Sequence, residues 1–373
     1  MSSGGISRNS YLSKNTGDFA SEFIINGERY EKVEDLRYGT NPHQPAAYYR
    51  KAGTVSAIGA MQILKNGKSG LSQTNLEDIS YSLNIVKYFN DPACAVMKHV
   101  NPSGAAMKRC SETTRDVYIK ARDCDARAAF GSVVAFNCNV DRETAEEIME
   151  SFVECVVAPS YSEDALVAFN DGETFKLNKH IRIIKCGDIS SLPKFVGDEK
   201  PSDYTLKVLA DGSLVAAAPL LTHIRGVNDI KSASAESKTL GTVKSEVNAS
   251  ASQLDDLLMA WYINISVRSN GVVIVRNGQT LCVGTGEQDR VGAVEQAIAK
   301  YRAKYQGSES IENSVMSSDG FFPFPDAVET AAAVGVRAII APAGSLKDAD
   351  VIKRANELGV ALYHAPERIF SHH

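Results

Sequence analysis

Two apolar spacings alternate along this chain, one at the helical period and one of short unbroken runs. From Asn75 onward, Leu76, Ile79, Leu83 and Val86 recur on one face of a helix. The run 93–97 then reads as a buried strand that delivers Lys98 and His99 at its C-terminal end. Pro102 and Gly104 make 101–106 a turn expected to open a helix, and 132–136 a second short strand. Asp141 is placed to cap a helix whose Ala145, Ile148, Met149, Phe152 and Val153 form a core stripe, with a further strand ending near Ala158-Pro159.

The alternation resumes after residue 240. Leu254, Leu257, Leu258 and Trp261 repeat at helical spacing, and strands at 271–275 and 280–283 flank Asn277-Gly278, a strong hairpin signal. A helix at 326–334 is stopped by Gly335. A strand at 337–341, a helix at 345–358 with Ser345 and Asp348 as a capping box, and a strand at 360–363 complete the chain. This order predicts a layered α/β fold of parallel strands with crossover helices and chemistry at the strand ends. A twofold duplication of similar halves fits the pattern, although no local similarity demonstrates it. Residues 1–20 read as an N-terminal arm. Gly187, Pro193, Gly197 and Pro201 break 187–202, so one subdomain is expected over 21–195 and a second, with the linker, over 196–373.

The 373 residues are enough for two domains or one large fold with two halves. A net charge of −5, from 45 acidic and 40 basic residues without long blocks, gives no case for nucleic acid or anionic membrane as the main partner. No apolar stretch approaches membrane-spanning length and the first 18 residues are polar, so a cytoplasmic location is expected. The seven cysteines are odd in number and contain no C-x-x-C pair, which predicts reduced, mostly buried thiols.

Lys98-His99 is the first candidate for chemistry. Neighbours in an extended strand point to opposite sides, so both meet one ligand only where the chain bends. A lysine ending an apolar strand needs a charge partner or water, and a phosphate or developing negative charge would serve. Structural hydrogen bonding and plain surface placement remain open readings of the pair. Arg37 and Tyr38, in a loop interrupted by Gly39 and Pro42, carry donors suited to phosphate oxygens or to an ordinary loop salt bridge. Asn270 opens the hairpin and offers an amide to a carbonyl oxygen, and Phe321 is either a stacking wall or core. The terminal Arg368-Ile369-Phe370-Ser371-His372-His373 is either a trailing end or a segment held to the fold by the last core strand. Phosphate-loop, dinucleotide, zinc-protease and nucleophile-elbow signatures are missing from the sequence.

Taken together, LRYGTNPHQ at 36–44, KHVNPSGAA at 98–106, AFGSVVAFN at 129–137, SNGVVI at 269–274, GTGEQDR at 284–290, SSDGFFPF at 317–324 and the terminal RIFSHH resemble the transformylase domain of the bifunctional purine biosynthesis enzyme. The resemblance covers about nine tenths of the chain. It implies a duplicated cytidine-deaminase-like α/β fold without the deaminase zinc site, and a homodimer with active sites across the subunit interface. The implied reaction moves a formyl group from 10-formyltetrahydrofolate, a cosubstrate, to the 5-amino group of 5-aminoimidazole-4-carboxamide ribonucleotide (AICAR), without a catalytic metal; a monovalent cation is compatible with it.

By the same resemblance, Lys98, His99, Asn270 and His372 are catalytic, and Arg37, Tyr38 and Arg368 hold the nucleotide phosphate. Asn75, Phe130, Gly131 and Glu154 line the nucleotide pocket, while Phe321 and Asp326 stand on the folate side. Three departures matter. The sequence contains no segment resembling the family's cyclohydrolase, so a separate IMP cyclohydrolase is expected. The stretch between Arg290 and Ser317 is short, and Ser371 places His372, rather than His373, as the functional imidazole. The runner-up reading is an inactive or regulatory purine-nucleotide-binding protein. A nucleoside deaminase is disfavoured because the His/Cys metal ligands are missing from the sequence.

Overall fold

The computed structural model describes residues 13–239 and 241–372. Most of the predicted N-terminal arm, residues 1–12, and His373 lie outside the described residues. One twelve-stranded sheet runs through the molecule. Its strands in chain order are β1 (Gln62–Lys65), β2 (Ala93–Lys98), β3 (Asn101–Met107), β4 (Ser132–Phe136), β5 (Val153–Ala158), β6 (Arg182–Lys185), β7 (Lys231–Ser232), β8 (Val272–Arg276), β9 (Gln279–Gly284), β10 (Val315–Ser318), β11 (Ala338–Pro342) and β12 (Ala361–Ala365).

Read outward from the centre, β3-β2-β4-β5-β6-β1 on one side matches β9-β8-β10-β11-β12-β7 on the other. Each side begins with a hairpin and continues antiparallel, parallel, parallel and antiparallel in the same sequence. The two hairpins meet antiparallel at the centre, with Ala106 opposite Gln279. The fold is therefore a duplicated α/β unit, and its sheet is mixed rather than the parallel one expected from sequence.

Helices cover both faces. On one face lie α1 (Gln73–Val86) and its counterpart α5 (Ala251–Asn264), which share a single core with Trp261, Ile79 and Leu83 fully buried. On the other face α2 (Thr114–Asp123), α3 (Arg142–Met149) and α4 (Glu163–Asn170) pack over the first half. The second half is covered there by α6 (Arg290–Lys304), α7 (Asp326–Ala333) and α8 (Asp348–Glu357). The helix starts follow the chemistry of exposed N–H groups: Ser72, Thr113, Asp141, Ser162, Ser250 and Asp289 each accept a bond from the first turn.

Several local expectations change. Residues 101–107 are a strand, not a turn into a helix. Pro102 is tolerated there because the register shifts opposite it, between Val96 and Met97, where the ladder does not need its missing N–H. The helix waits for Thr113, whose side chain and Asp116 form a capping box. At 345–348 no capping box forms, because the Asp348 carboxylate accepts from Gly344 N–H and Ser345 Oγ from Lys347 N–H, closing a turn ahead of α8. Phe152 and Val153 lie beyond α3, and Val153 begins β5. All seven cysteines are free thiols, five of them buried. No helix among the described residues is long and apolar enough to cross a membrane.

Candidate active site

The β2–β3 hairpin turns over two residues, His99 and Val100, with φ of 55° and 59°. Left-handed backbone at a non-glycine residue costs about 1–3 kcal/mol, and it is worst for a β-branched side chain. The buried Asp78 of α1 opposes that cost. Its Oδ1 accepts the Val100 N–H at 2.6 Å, and the backbone of His99 also bonds to the carboxylate. Burial pushes the Asp78 carboxyl up to about 6, against the two backbone N–H groups and the neighbouring His99.

Register then brings distant segments to this end of the sheet. Met97 pairs with Val133, so Phe130 and Gly131 lie beside Lys98, and Ser132 pairs with Val153, which puts Glu154 on the next strand. The antiparallel β3–β9 pair carries the residues after Gly284 toward Asn101. Val272 lies opposite both Gly284 and Ser318, so Asn270 and the segment that follows Ser318 arrive at the same end.

On one side of the turn, Lys98 Nζ donates to the Phe130 carbonyl. Gly131, at φ 75°, lets the chain pass close by: a Cβ there would stand 3.6 Å from Lys98 Nζ and 3.4 Å from the Phe152 ring. Asn75, one helical turn before Asp78, donates to Glu154 at 2.9 Å and accepts from Arg37 at 3.5 Å. Arg182 approaches the same Glu154 oxygen at 4.0 Å. Arg37 and Arg182 are both buried, and burial followed by the Arg182 charge pulls the Arg37 pKa down. The Arg37 guanidinium lies 4.6 Å from the Tyr38 ring, and its buried Nε has no hydrogen-bond partner among the described residues.

On the other side His99 lines an open cleft of about 1090 Å³ together with Arg268, Phe370 and His372. Asn101 links the two walls, donating to the His99 carbonyl at 3.2 Å and accepting the Arg268 N–H at 3.1 Å. Ser269 N–H donates to the Ser371 carbonyl at 2.9 Å, and Arg268 bridges to Ser371 as an added strand pair. The C-terminal segment is thereby held to the fold. The Phe370 ring lies 4.3 Å from the Arg368 guanidinium and meets His372 edge-on, and the His372 carbonyl accepts from Lys207 Nζ at 2.5 Å.

Asn270 is fixed by Glu287, whose carbonyl accepts both its N–H at 3.1 Å and its Nδ2 at 2.9 Å. The fully buried Asp319 ties four sequence motifs together. Its carboxylate takes the Gly271 N–H at 2.8 Å and pairs with Arg290, while its carbonyl accepts from Ile369. Phe321 and Asp326 stand exposed beyond it, the latter capping Ala327 N–H with Oδ1 at 2.8 Å. No hydrogen bond, ion pair or ring contact among the described residues joins either of them to Lys98, His99 or Arg37.

The sequence profile of the AICARFT/IMPCHase bienzyme matches residues 7–300. The chain belongs to this family. Bifunctional purine biosynthesis protein PurH of Rippkaea orientalis is 36% identical over 362 residues, covering 96% of this chain and 62% of that protein. The PurH proteins of Acetivibrio thermocellus and Oceanobacillus iheyensis are 36% and 34% identical, over 92% and 98% of this chain and 60% and 64% of their own lengths. The chain thus spans about three fifths of the length of these relatives. Among solved structures, the dCMP deaminase from the cyanophage S-TIM5 in complex with dCMP and dUMP matches 25% of this chain and 77% of its own, at 24% identity and a TM-score of 0.20.

Within this member of the purine biosynthesis family, the structure joins Arg37, Asn75 and Glu154 in one network, Lys98, Phe130 and Gly131 in another, and His99 with His372 across the cleft. Arg368 is exposed in the tail, and among the described residues no hydrogen bond, ion pair or ring contact joins it to Arg37. Asp78, Asn101, Arg182, Arg268 and Asp319 were not legible as site residues. The available signal for Asp78 was its i, i+3 spacing from Asn75, two polar residues on the buried part of a helix. The other four act through pairings between remote segments, which leave no local pattern.

Proposed function

We propose that this chain is an AICAR formyltransferase acting in purine biosynthesis with 10-formyltetrahydrofolate as cosubstrate. The observation that carries this reading is the convergence, at one end of the sheet, of the Lys98-His99 turn, Asn270 and the terminal His372, linked through Asn101, Arg268 and Ser371. Family membership gives the reading its substrates. The buried Arg37 and Arg182, with Glu154 as the carboxylate nearest Arg182 among the described residues, supply positive charge suited to the nucleotide phosphate.

The acceptor amine is conjugated with an electron-poor ring and is a weak nucleophile, so its proton leaves as it attacks the formyl carbon. An imidazole can accept that proton at neutral pH, and His99 takes the role. The attack places negative charge on the formyl oxygen. Lys98 and the Asn270 amide oppose that charge, the amide being held in one orientation by Glu287. Collapse of the intermediate breaks the bond to folate N10, which takes up a proton, with Lys98 or His372 as the donor. No covalent enzyme intermediate is required.

Incubation with AICAR and 10-formyltetrahydrofolate tests the reading through tetrahydrofolate release. Turnover supports it, while nucleotide binding without transfer by the parent chain would replace it with a non-catalytic purine-nucleotide-binding protein. Lys98→Ala is expected to lose about 10²–10³-fold in kcat, the range for removing one group that stabilises a developing oxyanion, with nucleotide affinity largely kept. Parental turnover in that variant would remove Lys98 from the chemistry.

A further inference from the structure

The hairpins of the two halves meet at the centre of the sheet with their turns at opposite ends of the strands, and they share one turn conformation but not one sequence. In each half the sixth residue of the central helix is a buried aspartate, Asp78 in α1 and Asp256 in α5. Each sits against the two-residue turn of its own hairpin. Asp256 accepts the N–H groups of Asn277 and Gly278 at 2.8 and 2.9 Å, and Arg109 pairs with it at 3.1 Å. Asp78 accepts the Val100 N–H at 2.6 Å and bonds the backbone of His99.

The backbones match, with φ of 51° and 73° at Asn277 and Gly278 against 55° and 59° at His99 and Val100. The sequences do not. Asn-Gly enters this left-handed turn readily, whereas His-Val resists it at both positions. In the second half the aspartate supports a turn that its own residues favour. In the first half it supports one that they oppose.

We propose that Asp78 is a positioning residue whose carboxylate imposes the left-handed turn on His99 and Val100. It thereby sets Lys98 against Phe130 and Gly131 and His99 into the cleft that His372 also lines. The inference rests on the proposed formyl transfer for its activity readout alone. Asp78 touches the turn through backbone groups, so an oxygen acceptor at position 78 is the requirement, and relief of the turn by glycine should substitute for it.

The test compares Asp78→Ala, Asp78→Asn and Asp78→Ala with Val100→Gly, each checked for folding by circular dichroism. Asp78→Ala is expected to lower kcat about 100-fold, the penalty for an ångström-scale misplacement of reacting groups, with KM for AICAR within about threefold of the parent. Adding Val100→Gly is expected to recover about tenfold of that loss, because glycine takes positive φ without a Cβ penalty. Asp78→Asn, which keeps an oxygen acceptor, should stay within about tenfold of the parent.

Parental kcat in Asp78→Ala, no recovery on adding Val100→Gly, or a loss in Asp78→Asn as deep as in Asp78→Ala would each overturn the proposal. Should Asp78→Ala not fold, restoration of the fold by Val100→Gly supports the proposal, and failure to restore it counts against it. A parent without turnover would sink the formyl-transfer reading instead. The turn is then judged from crystal structures of the parent, Asp78→Asn and Asp78→Ala: left-handed φ retained at both His99 and Val100 in Asp78→Ala would refute the role of the carboxylate, and its loss there but not in Asp78→Asn would support it.

Discussion

The buried Arg182 lies 4.0 Å from Glu154, the buried Arg37 reaches that carboxylate only through Asn75, and the Nε of Arg37 has no hydrogen-bond partner among the described residues. A buried guanidinium so placed is favoured by an anionic ligand, and charge-assisted bonds to it are worth about 1.5–3 kcal/mol. Arg37→Ala is therefore expected to weaken AICAR binding by roughly 10–100-fold while leaving the dephosphorylated nucleoside unaffected, as measured by calorimetry. Equal losses for both ligands would take the phosphate away from Arg37. Asp78 carries a different cost. Its carboxyl is raised from its ordinary 3.8 to about 6, so folding favours the neutral acid and the penalty appears as pH climbs from about 4 to 6. That rise corresponds to on the order of 3 kcal/mol. Asp78→Asn should consequently exceed the parent in stability above pH 6 and match it near pH 4. Urea unfolding at the two pH values checks this, and a gain that is larger at pH 4 would reverse the sign.

The elements are placed by close approaches as much as by apolar stripes. Gly104 in β3 lies under α2, and a Cβ there would meet the Ala121 carbonyl oxygen at 2.1 Å and Cys124 at 2.6 Å. Both obstacles are held by the helix and its end, so relief requires moving α2 off the sheet. Gly104→Ala is expected to cost about 1–3 kcal/mol, seen as a lower urea midpoint. Gly284 stands in the same relation to α6, with a Cβ 2.2 Å from the Ala293 carbonyl. Periodicity made α1, α5 and α7 readable, because their buried faces recur every three to four residues. It failed for α6, whose Gly292, lysines and arginines dilute the apolar stripe; the Asp289 cap was its local signal. Residues 101–107 were misread because Pro102 and Gly104 carry loop propensity, while pairing with β2 decides their conformation.

At the scale of the molecule, the chain leaves apolar surface uncovered. Leu206, Val208, Leu214 and Val215 are exposed on the hairpin of Thr205–Val208 and Leu214–Ala217, beside the open cleft that Leu206 and Lys207 help line. Exposed apolar surface of this kind suits a protein interface, and we propose that the homodimer implied by the family resemblance covers it. Light scattering is expected to give twice the 40.2 kDa chain mass for the parent, and the chain mass for a variant carrying Val208→Asp and Leu214→Asp. A monomeric parent at micromolar concentration would exclude the dimer.

The sequence by itself determined which segments bury, because apolar period and capping residues act locally: α1, β2, β4, the Asn277-Gly278 hairpin and the chain of motifs around Lys98, Asn270 and His372 were all legible in it. Tertiary structure alone decided the rest. The mixed sheet, the equivalence of its halves and the left-handed turn at His99 and Val100 depend on hydrogen bonds between residues far apart in the chain, Asp78 with Val100 among them. The residues of that turn disfavour its conformation locally, so only the pairing of β2 with β3 and a carboxylate from another element could specify it.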